Sequence, residues 1–367
     1  MSITESRTVK ISEAEQLLTL TFKKKRPVFL WGPPGIGKSE IVQGICDSGA
    51  LGKTKVIDLR LALFEPTDLR GYPVPDIDTG VMKWLPPSDL PNEKMAKEYD
   101  TIVLFLDELN SAAPSVQAAA YQLILNRRIG QYELPDNVVM IAAGNRETDK
   151  GVTYRMPKPL ENRFVHFELR VDFEDWLNWA VDNKIDPSII GYLSFAKADL
   201  YNFDPKSTSR GFATPRSWTF VSEMLDGINL TDGLMTDLVA GCVGEGTAVK
   251  FMAHRKIADQ LPDPSKILDG VKTEVKTTEV SAMYSLATSL CYELKERSLN
   301  GEKAGNMTNF HKSFSNFISY MLDNFETEMV IMASRVAMQN YKLVPKQEKV
   351  ERFQEYFERY GRLVLDS

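Results

Sequence analysis

The sequence predicts an α/β fold: a parallel five-stranded sheet, followed by a helical lid and a C-terminal helical extension. Two observations predict it. Five short apolar runs, at 27–31, 55–60, 101–106, 138–143 and 165–169, have the length and β-branched content of buried parallel strands, and they alternate with helix-compatible stretches. From residue 172 the apolar spacing changes to a helical period, through 174–183, 188–198, 216–226 and 234–241, and later through 280–297, 309–325 and 330–341. The expected division is an α/β core over 1–170, a helical lid over 171–249 and an extension over 250–367.

Taken in order, the first helix is signposted by Ser12 with Glu15 three residues on, a capping box, and by the apolar Leu17, Leu18 and Leu20. The run Lys23-Lys24-Lys25-Arg26 reads as its solvated end, where cations suit the helix dipole. Strand 27–31 stops at a glycine and is followed by a helical stretch at 39–46, a strand-loop-helix unit. Asp78-Thr79-Gly80 reads as a turn, and 128–136, where Ile129, Tyr132 and Leu134 alternate, suits a hairpin.

Composition bounds the function classes. A chain of 367 residues is longer than one ordinary core requires, and 43% hydrophobic with 26% charged residues is the balance of a folded protein. No run approaches the roughly 20 apolar residues of a bilayer span, and residues 1–16 lack the basic-then-apolar pattern of a signal peptide, so a cytoplasmic location is expected. Cys46, Cys242 and Cys291, like His166, His254 and His311, are scattered, which suggests reduced thiols and no zinc site. A net charge of −6 argues against a broad basic surface for nucleic acid.

The segment Gly32-Pro33-Pro34-Gly35-Ile36-Gly37-Lys38-Ser39, with Glu40 next on the helix, fits a phosphate-binding loop between strand and helix. Glycines let backbone amides turn onto phosphate oxygens, and the helix N-terminus adds partial positive charge. Lys38 would reach the β and γ phosphates of ATP and Ser39 would hold Mg²⁺. Downstream, the apolar strand 101–106 ends in Asp107 and Glu108. Asp107 would orient Mg²⁺ at the sheet's carboxyl edge, and Glu108 would polarise the attacking water.

From about residue 12 to 245 the sequence resembles the AAA+ ATPases, and among them the MoxR-like group. Asp107-Glu108-Leu109-Asn110 with Ala113, Pro114, Gln117 and Ala118 is similar to the family's segment after its second nucleotide motif. Ala143-Gly144-Asn145 is placed like its first sensor, Gly151, Tyr154, Pro157 and Leu160 lead to Glu161-Asn162-Arg163-Phe164 as its path leads to an arginine finger, and Ala213-Thr214-Pro215-Arg216-Ser217 is similar to its second sensor. The resemblance implies that Asn145 positions water or the γ-phosphate, that Arg216 on the lid touches phosphates of the same subunit, and that Arg163 acts on a neighbour. It also implies a homo-oligomeric ring, a hexamer, that remodels or matures a protein partner, beside a protein with a von Willebrand factor A-type domain. Asn162 and Arg146 depart from the family pattern, which has Asp before the finger and Pro after the sensor Asn. Arg127 and Arg128 stand where relatives carry acids and read either as a solvated helix end or as contacts to nucleotide across the ring.

Residues 63–71 followed by 72–85 are similar to the family's hairpin inserted in its second helix, the resemblance places this segment and 128–136 near a central pore facing a partner, and Tyr72 and Trp84 read either as grips or as ordinary packing. Two other functions stay open at this level. One is a nucleic-acid motor or DNA-processing subunit, which the acidity of the chain opposes; the other is a nucleotide-gated assembly scaffold.

Overall fold

The computed structural model describes residues 7–149, 153–227, 230–258, 261–271 and 279–365; Gly151 lies outside the described residues. The chain divides into two compact units, one running to Asp175 together with Asp204–Lys206, the other comprising Trp176–Phe203 and the residues from Ser207 on.

The first unit is built on a parallel sheet. Its strands are β1 (Thr8–Val9), β2 (Val28–Trp31), β3 (Thr54–Arg60), β6 (Thr101–Asp107), β9 (Val138–Gly144) and β10 (Val165–Leu169), in the spatial order β1-β10-β2-β9-β6-β3. Five of these are the apolar runs read from the sequence. The sixth, β1, adds two residues to the edge through Thr8↔Glu168 and Val9↔Leu169, too short to leave any periodic pattern. Every residue of β9 is buried, as a central parallel strand covered on both faces requires.

Helices α1 (Ile11–Lys23), α2 (Lys38–Asp47), α3 (Pro66–Arg70), α4 (Glu93–Glu98), α5 (Pro114–Asn126) and α6 (Lys158–Glu161) connect the strands. The cap of α1 differs from the expected Ser12/Glu15 box. Lys10 is the N-cap and its N–H donates to Glu13 Oε2 at 2.8 Å, whereas the Ser12 N–H and hydroxyl both donate to the Asp175 carboxylate at 2.9 and 3.0 Å. A long-range acceptor has taken the hydroxyl that local pattern assigned to capping.

Both expected hairpins are present. In the first, β4 (Tyr72–Asp76) pairs antiparallel with β5 (Val81–Leu85), from Tyr72↔Leu85 to Asp76↔Val81. Its turn closes on Gly80 at φ 68°, and Asp76 accepts from Thr79 Oγ1 at 2.7 Å and pairs with Lys83. Those partners, Lys83 first, hold the Asp76 carboxyl below its ordinary range. The second hairpin joins β7 (Arg128–Ile129) to β8 (Tyr132–Glu133).

The second unit is helical, with α7 (Phe173–Asp182) leading into it. It contains α8 (Pro187–Phe195), α9 (Pro215–Leu225), α10 (Asp232–Val243), α11 (Glu245–Ala258), α12 (Pro264–Leu268), α13 (Val280–Lys303), α14 (Thr308–Asn324), α15 (Thr327–Arg335) and α16 (Phe353–Leu365). Helices α8 and α13 approach closely at Gly191, where an added Cβ would lie 2.9 Å from Thr288 Oγ1 and 3.2 Å from Ser285 Cα. Arg297 ties three helices by donating to Glu293 at 3.0 Å, Asp269 at 2.6 Å, Ser313 Oγ at 2.9 Å and the Ser265 carbonyl and hydroxyl at 3.1 and 2.8 Å. No helix among the described residues is long and apolar enough to cross a membrane.

His254 on α11 is 4% exposed, meets Ser285 Oγ at 2.5 Å and lies against the rings of Tyr192 and Phe195. Burial lowers its pKa from 6.5 to about 4, so the unfolded chain binds a proton more readily than the folded one across that interval. Its contribution to stability is therefore complete above about pH 6.5 and declines as pH falls toward about 4, by up to about 3 kcal/mol. We expect the double variant His254→Leu/Ser285→Ala to show a shallower loss of stability over that window than the wild-type chain, measured by urea denaturation at a series of pH values. Identical acid limbs in the two proteins would contradict the assignment.

Candidate functional site

The strand order brings the chemistry together. Strand β9 lies between β2 and β6, with Trp31↔Gly144 on one side and Leu106↔Ala142 on the other. Because all three strands are parallel, the loop after β2, Asn145 after β9 and the acids ending β6 emerge along one carboxyl edge, where open α/β sheets bind ligands.

The loop Gly32–Ser39 is shaped by its glycines. Gly35 and Gly37 have φ of 77° and 97°, values that a side chain would strain. Gly32 donates to the Gly144 carbonyl at 3.3 Å, and an added Cβ would stand 2.5 Å from Ile36 Cδ1, so that buried side chain would have to move. Pro33 and Ile36 are buried, while Pro34 is half-buried between them in the turn. Gly37 is the left-handed N-cap of α2, so the first-turn amides of Lys38, Ser39 and Glu40 precede any carbonyl four residues back in the helix. Glu40 is exposed on that turn.

Lys38 is the hub of the loop. Its ammonium donates to the Gly32 carbonyl at 2.7 Å, the Pro33 carbonyl at 3.1 Å and Asn145 Oδ1 at 3.1 Å. The structure thus joins two residues 107 positions apart in the sequence.

On the far side of β9, Asp107 ends β6 in register with Arg60. The Glu108 N–H donates to Asp107 Oδ1 at 2.9 Å, and Glu108 itself is in the left-handed conformation, φ 55° and ψ 31°, so the chain reverses there into a 3₁₀ turn, Leu109–Ser111. Left-handed backbone at a non-glycine residue costs about 1 kcal/mol and recurs at functional positions. The acids make this edge electronegative. The Asp58 carboxyl is pushed above its ordinary range by burial first and then by the charges of Asp107 and Glu108, against the opposing Arg60. An Asp carboxylate and a Ser hydroxyl are hard oxygen donors, the kind that Mg²⁺ prefers, and an edge already rich in negative charge fits a cation. The described residues contain no cluster of three or more His, Cys, Asp or Glu able to hold a metal unaided.

Three further residues brace this edge. Asn110 is 2% exposed, and its Nδ2 donates to the Asn145 carbonyl at 2.7 Å. Arg146 donates to the Leu169 carbonyl at 2.8 Å and pairs with Glu168 at 2.9 Å, tying the end of β9 to β10. His166 on β10 accepts at Nδ1 from Trp31 Nε1 at 2.9 Å, which leaves its other nitrogen, Nε2, to donate to the Glu161 carbonyl at 2.7 Å. The turn that carries Arg163 is thereby fixed to the strand that feeds the glycine loop. Sequence reasoning assigned none of the three to the site. Asn110, two residues past Glu108, was the one with a legible signal, since it ends the Asp107–Asn110 segment on which the resemblance rests.

The other sequence-derived residues are placed as follows. Arg163 is exposed in the turn after α6, and its guanidinium forms no ion pair among the described residues. Arg216 belongs to the second unit, exposed on the first turn of α9, whose N-cap Thr214 accepts from Ser217 N at 3.0 Å. Arg127 caps α5 in a left-handed conformation and donates to the Pro135 and Val138 carbonyls at 2.8 and 2.9 Å, so it braces the second hairpin, while Arg128 is exposed. In the first hairpin, Trp84 is covered by the Arg70 guanidinium 4.2 Å from its ring, whereas Tyr72 is exposed.

Comparison with known proteins agrees with this reading of the first unit. Residues 28–171 match the family model described as the ATPase family associated with various cellular activities (AAA). That part of the chain is an AAA ATPase domain, a nucleotide-binding module. No curated protein matches the sequence. Among solved structures, the chain is similar to a candidate ATPase from Cytophaga hutchinsonii, at 14% identity over 90% of this chain and 81% of that one with a TM-score of 0.35. It is also similar to a variant of RuvB from Thermotoga maritima, at 18% identity over 72% and 77% with a TM-score of 0.36. A third is NtrX from Brucella abortus, at 11% identity over 92% and 69% with a TM-score of 0.39.

The geometry makes Gly144 a sensitive position. An added Cβ there would stand 2.2 Å from Asn110 Oδ1 and 2.9 Å from the Phe29 ring, both buried, so these side chains would have to shift. We expect Gly144→Ala to lower stability by roughly 1–3 kcal/mol, the usual range for overpacking, as read by thermal or urea melting. A wild-type melting curve would show that the close approach is relieved at no cost.

Proposed function

We propose that this chain is an ATP-hydrolysing ring protein of the MoxR-like kind that remodels or matures a protein partner. The observation that carries the ATPase part is the convergence of Lys38, Asn145 and the Asp107-Glu108 pair on adjacent strands at one sheet edge.

In this reading the amides of the 32–39 loop and the first turn of α2 hold the phosphates of ATP, and Lys38 binds the β and γ phosphates. Ser39 and Asp107 hold Mg²⁺, which when bound draws charge off the phosphate oxygens. Glu108 accepts a hydrogen bond from the attacking water and orients it in line with the γ-phosphate, while Asn145 positions that water or the γ-phosphate. Arg163, exposed at a turn, reaches the nucleotide of a neighbouring subunit and stabilises charge as it develops, an effect worth ~10³ to 10⁵ in rate in other nucleotide hydrolases. Arg216 contributes from the helical lid, residues 171–249, to the phosphates of its own subunit. Assembly into a homo-oligomeric ring, a hexamer in MoxR-like relatives, is therefore a condition of full activity.

The partner is a protein, and the first hairpin supports this. Tyr72, Ile77, Val81, Met82 and Leu85 are each more than half exposed, a concentration of apolar surface that suits contact with polypeptide. A protein with a von Willebrand factor A-type domain is the companion that MoxR-like relatives suggest. The net charge of −6 favours this reading over a nucleic-acid motor.

Turnover should rise with protein concentration, and Glu108→Gln should bind ATP but hydrolyse it at least about 100-fold more slowly. Arg163→Ala and Glu108→Gln subunits, each nearly inactive alone, should recover activity when mixed, because a mixed interface pairs an intact finger with an intact base. Concentration-independent turnover with a harmless Arg163→Ala would reject the shared site and the ring with it.

A further inference from the structure

We infer that Asn110 is a positioning residue for hydrolysis, holding Asn145 in register with Lys38 and tying it to the turn that carries Glu108. The inference rests on the ATPase reading above and concerns how the same site is kept aligned.

Four observations carry it. Asn110 is 2% exposed, and its side chain does not serve its own turn: Nδ2 donates across 35 positions of sequence to the main-chain carbonyl of Asn145 at 2.7 Å. The side chain of that same Asn145 accepts from Lys38 at 3.1 Å, so the three residues form one connected chain, Asn110 to Asn145 to Lys38. The Asn110 carbonyl accepts from Tyr154 N at 2.7 Å, so residues 145 and 154, the two ends of the stretch after β9, are both fastened to Asn110. Lastly, Gly144 leaves room for the amide, whose Oδ1 would lie only 2.2 Å from a Cβ there.

The chemistry at this position is specific. A carbonyl acceptor requires a donor, and a neutral amide supplies one without adding charge beside Asp107 and Glu108. Asn110 begins two residues past Glu108, within the 3₁₀ turn whose Ser111 and Ala112 amides both return to the Glu108 carbonyl, at 2.9 and 3.1 Å. The base and the sensor are therefore bridged by two short rigid links, the turn and the amide. A misplacement of about 1 Å at a positioned group costs about 100-fold in rate. An alanine at 110 leaves the loops in place but frees Asn145 to drift, so the loss falls on the chemical step and not on phosphate binding.

The test is a double-mutant cycle at saturating ATP, with kcat and KM measured separately for Asn110→Ala, Asn145→Ala and the double variant. Binding of a non-hydrolysed ATP analogue and the melting temperature are read for each. We expect Asn110→Ala to lower kcat by about 10- to 100-fold with KM and analogue affinity within about 3-fold of wild type. The double variant should be no slower than Asn145→Ala, since Asn110 acts through it. Asn110→Leu, which is close in size, removes the donor and adds no charge, should reproduce the loss and serves as the reading if the alanine variant does not fold. Multiplying effects in the double variant, wild-type kcat in both Asn110 variants, or a loss of analogue binding equal to the loss of kcat would overturn the inference while leaving the ATPase reading intact. A wild-type chain with no turnover would overturn both.

Discussion

Strand β9 separates β2 from β6, and the rest of the candidate site depends on that placement. Neighbouring parallel strands lie about 4.8 Å apart, so the ends of three adjacent strands fall within reach of single side chains. Lys38 reaches one strand over to Asn145, and Asn110 reaches back to the same residue from the β6 side. Were β6 paired directly with β2, the acids would still end their strand, but Asn145 would have no place between them and the loop. Phe29, Leu104, Leu106, Val138, Met140 and Ala142 belong to one buried cluster that seals the sheet beneath the polar edge.

Above that apolar base, the edge is held by hydrogen bonds from groups that have little alternative. Buried amides and carbonyls without partners are costly, so Asn110 Nδ2 and the Asn145 carbonyl satisfy one another, while Asn110 Oδ1 stays buried without a partner among the described residues. The contacts of Arg146 to Leu169 and Glu168 fix the end of β9 against β10. His166 performs a similar service one element further on, between Trp31 and the Glu161 carbonyl. These ties keep a loop-borne candidate site on a rigid base, and they connect the glycine loop, Asn145 and the turn that carries Arg163 within a single unit.

The second unit is organised by different means. Its helices meet through small residues, as at Gly191, and through saturated polar groups, of which Arg297 is the clearest case. A guanidinium with partners on every nitrogen fixes three helices at once, which apolar packing alone would specify less sharply.

Much of the first unit was legible because its signals are local. Gly32 to Gly37 reads as a loop between strand and helix, since glycines at those positions and the apolar run before them favour a turn. The five strands, the second hairpin and the acids at the end of 101–106 follow from period, turn residues and length in the same way. What stayed hidden depends on distant partners. The edge strand Thr8–Val9 exists only because β10 offers Thr8 and Val9 a pairing edge. Ser12 yielded its capping role to Lys10 because Asp175, remote in sequence, accepts its hydroxyl. Arg127, open to two readings in the sequence, turned inward to the Pro135 and Val138 carbonyls. The sequence by itself determined the class of fold, the glycine loop and the acids that end the strand. The tertiary structure alone decided which strand lies between them and which buried amide holds Asn145, because a hydrogen bond spanning 35 residues is selected by the packing of the sheet and leaves no period in the chain.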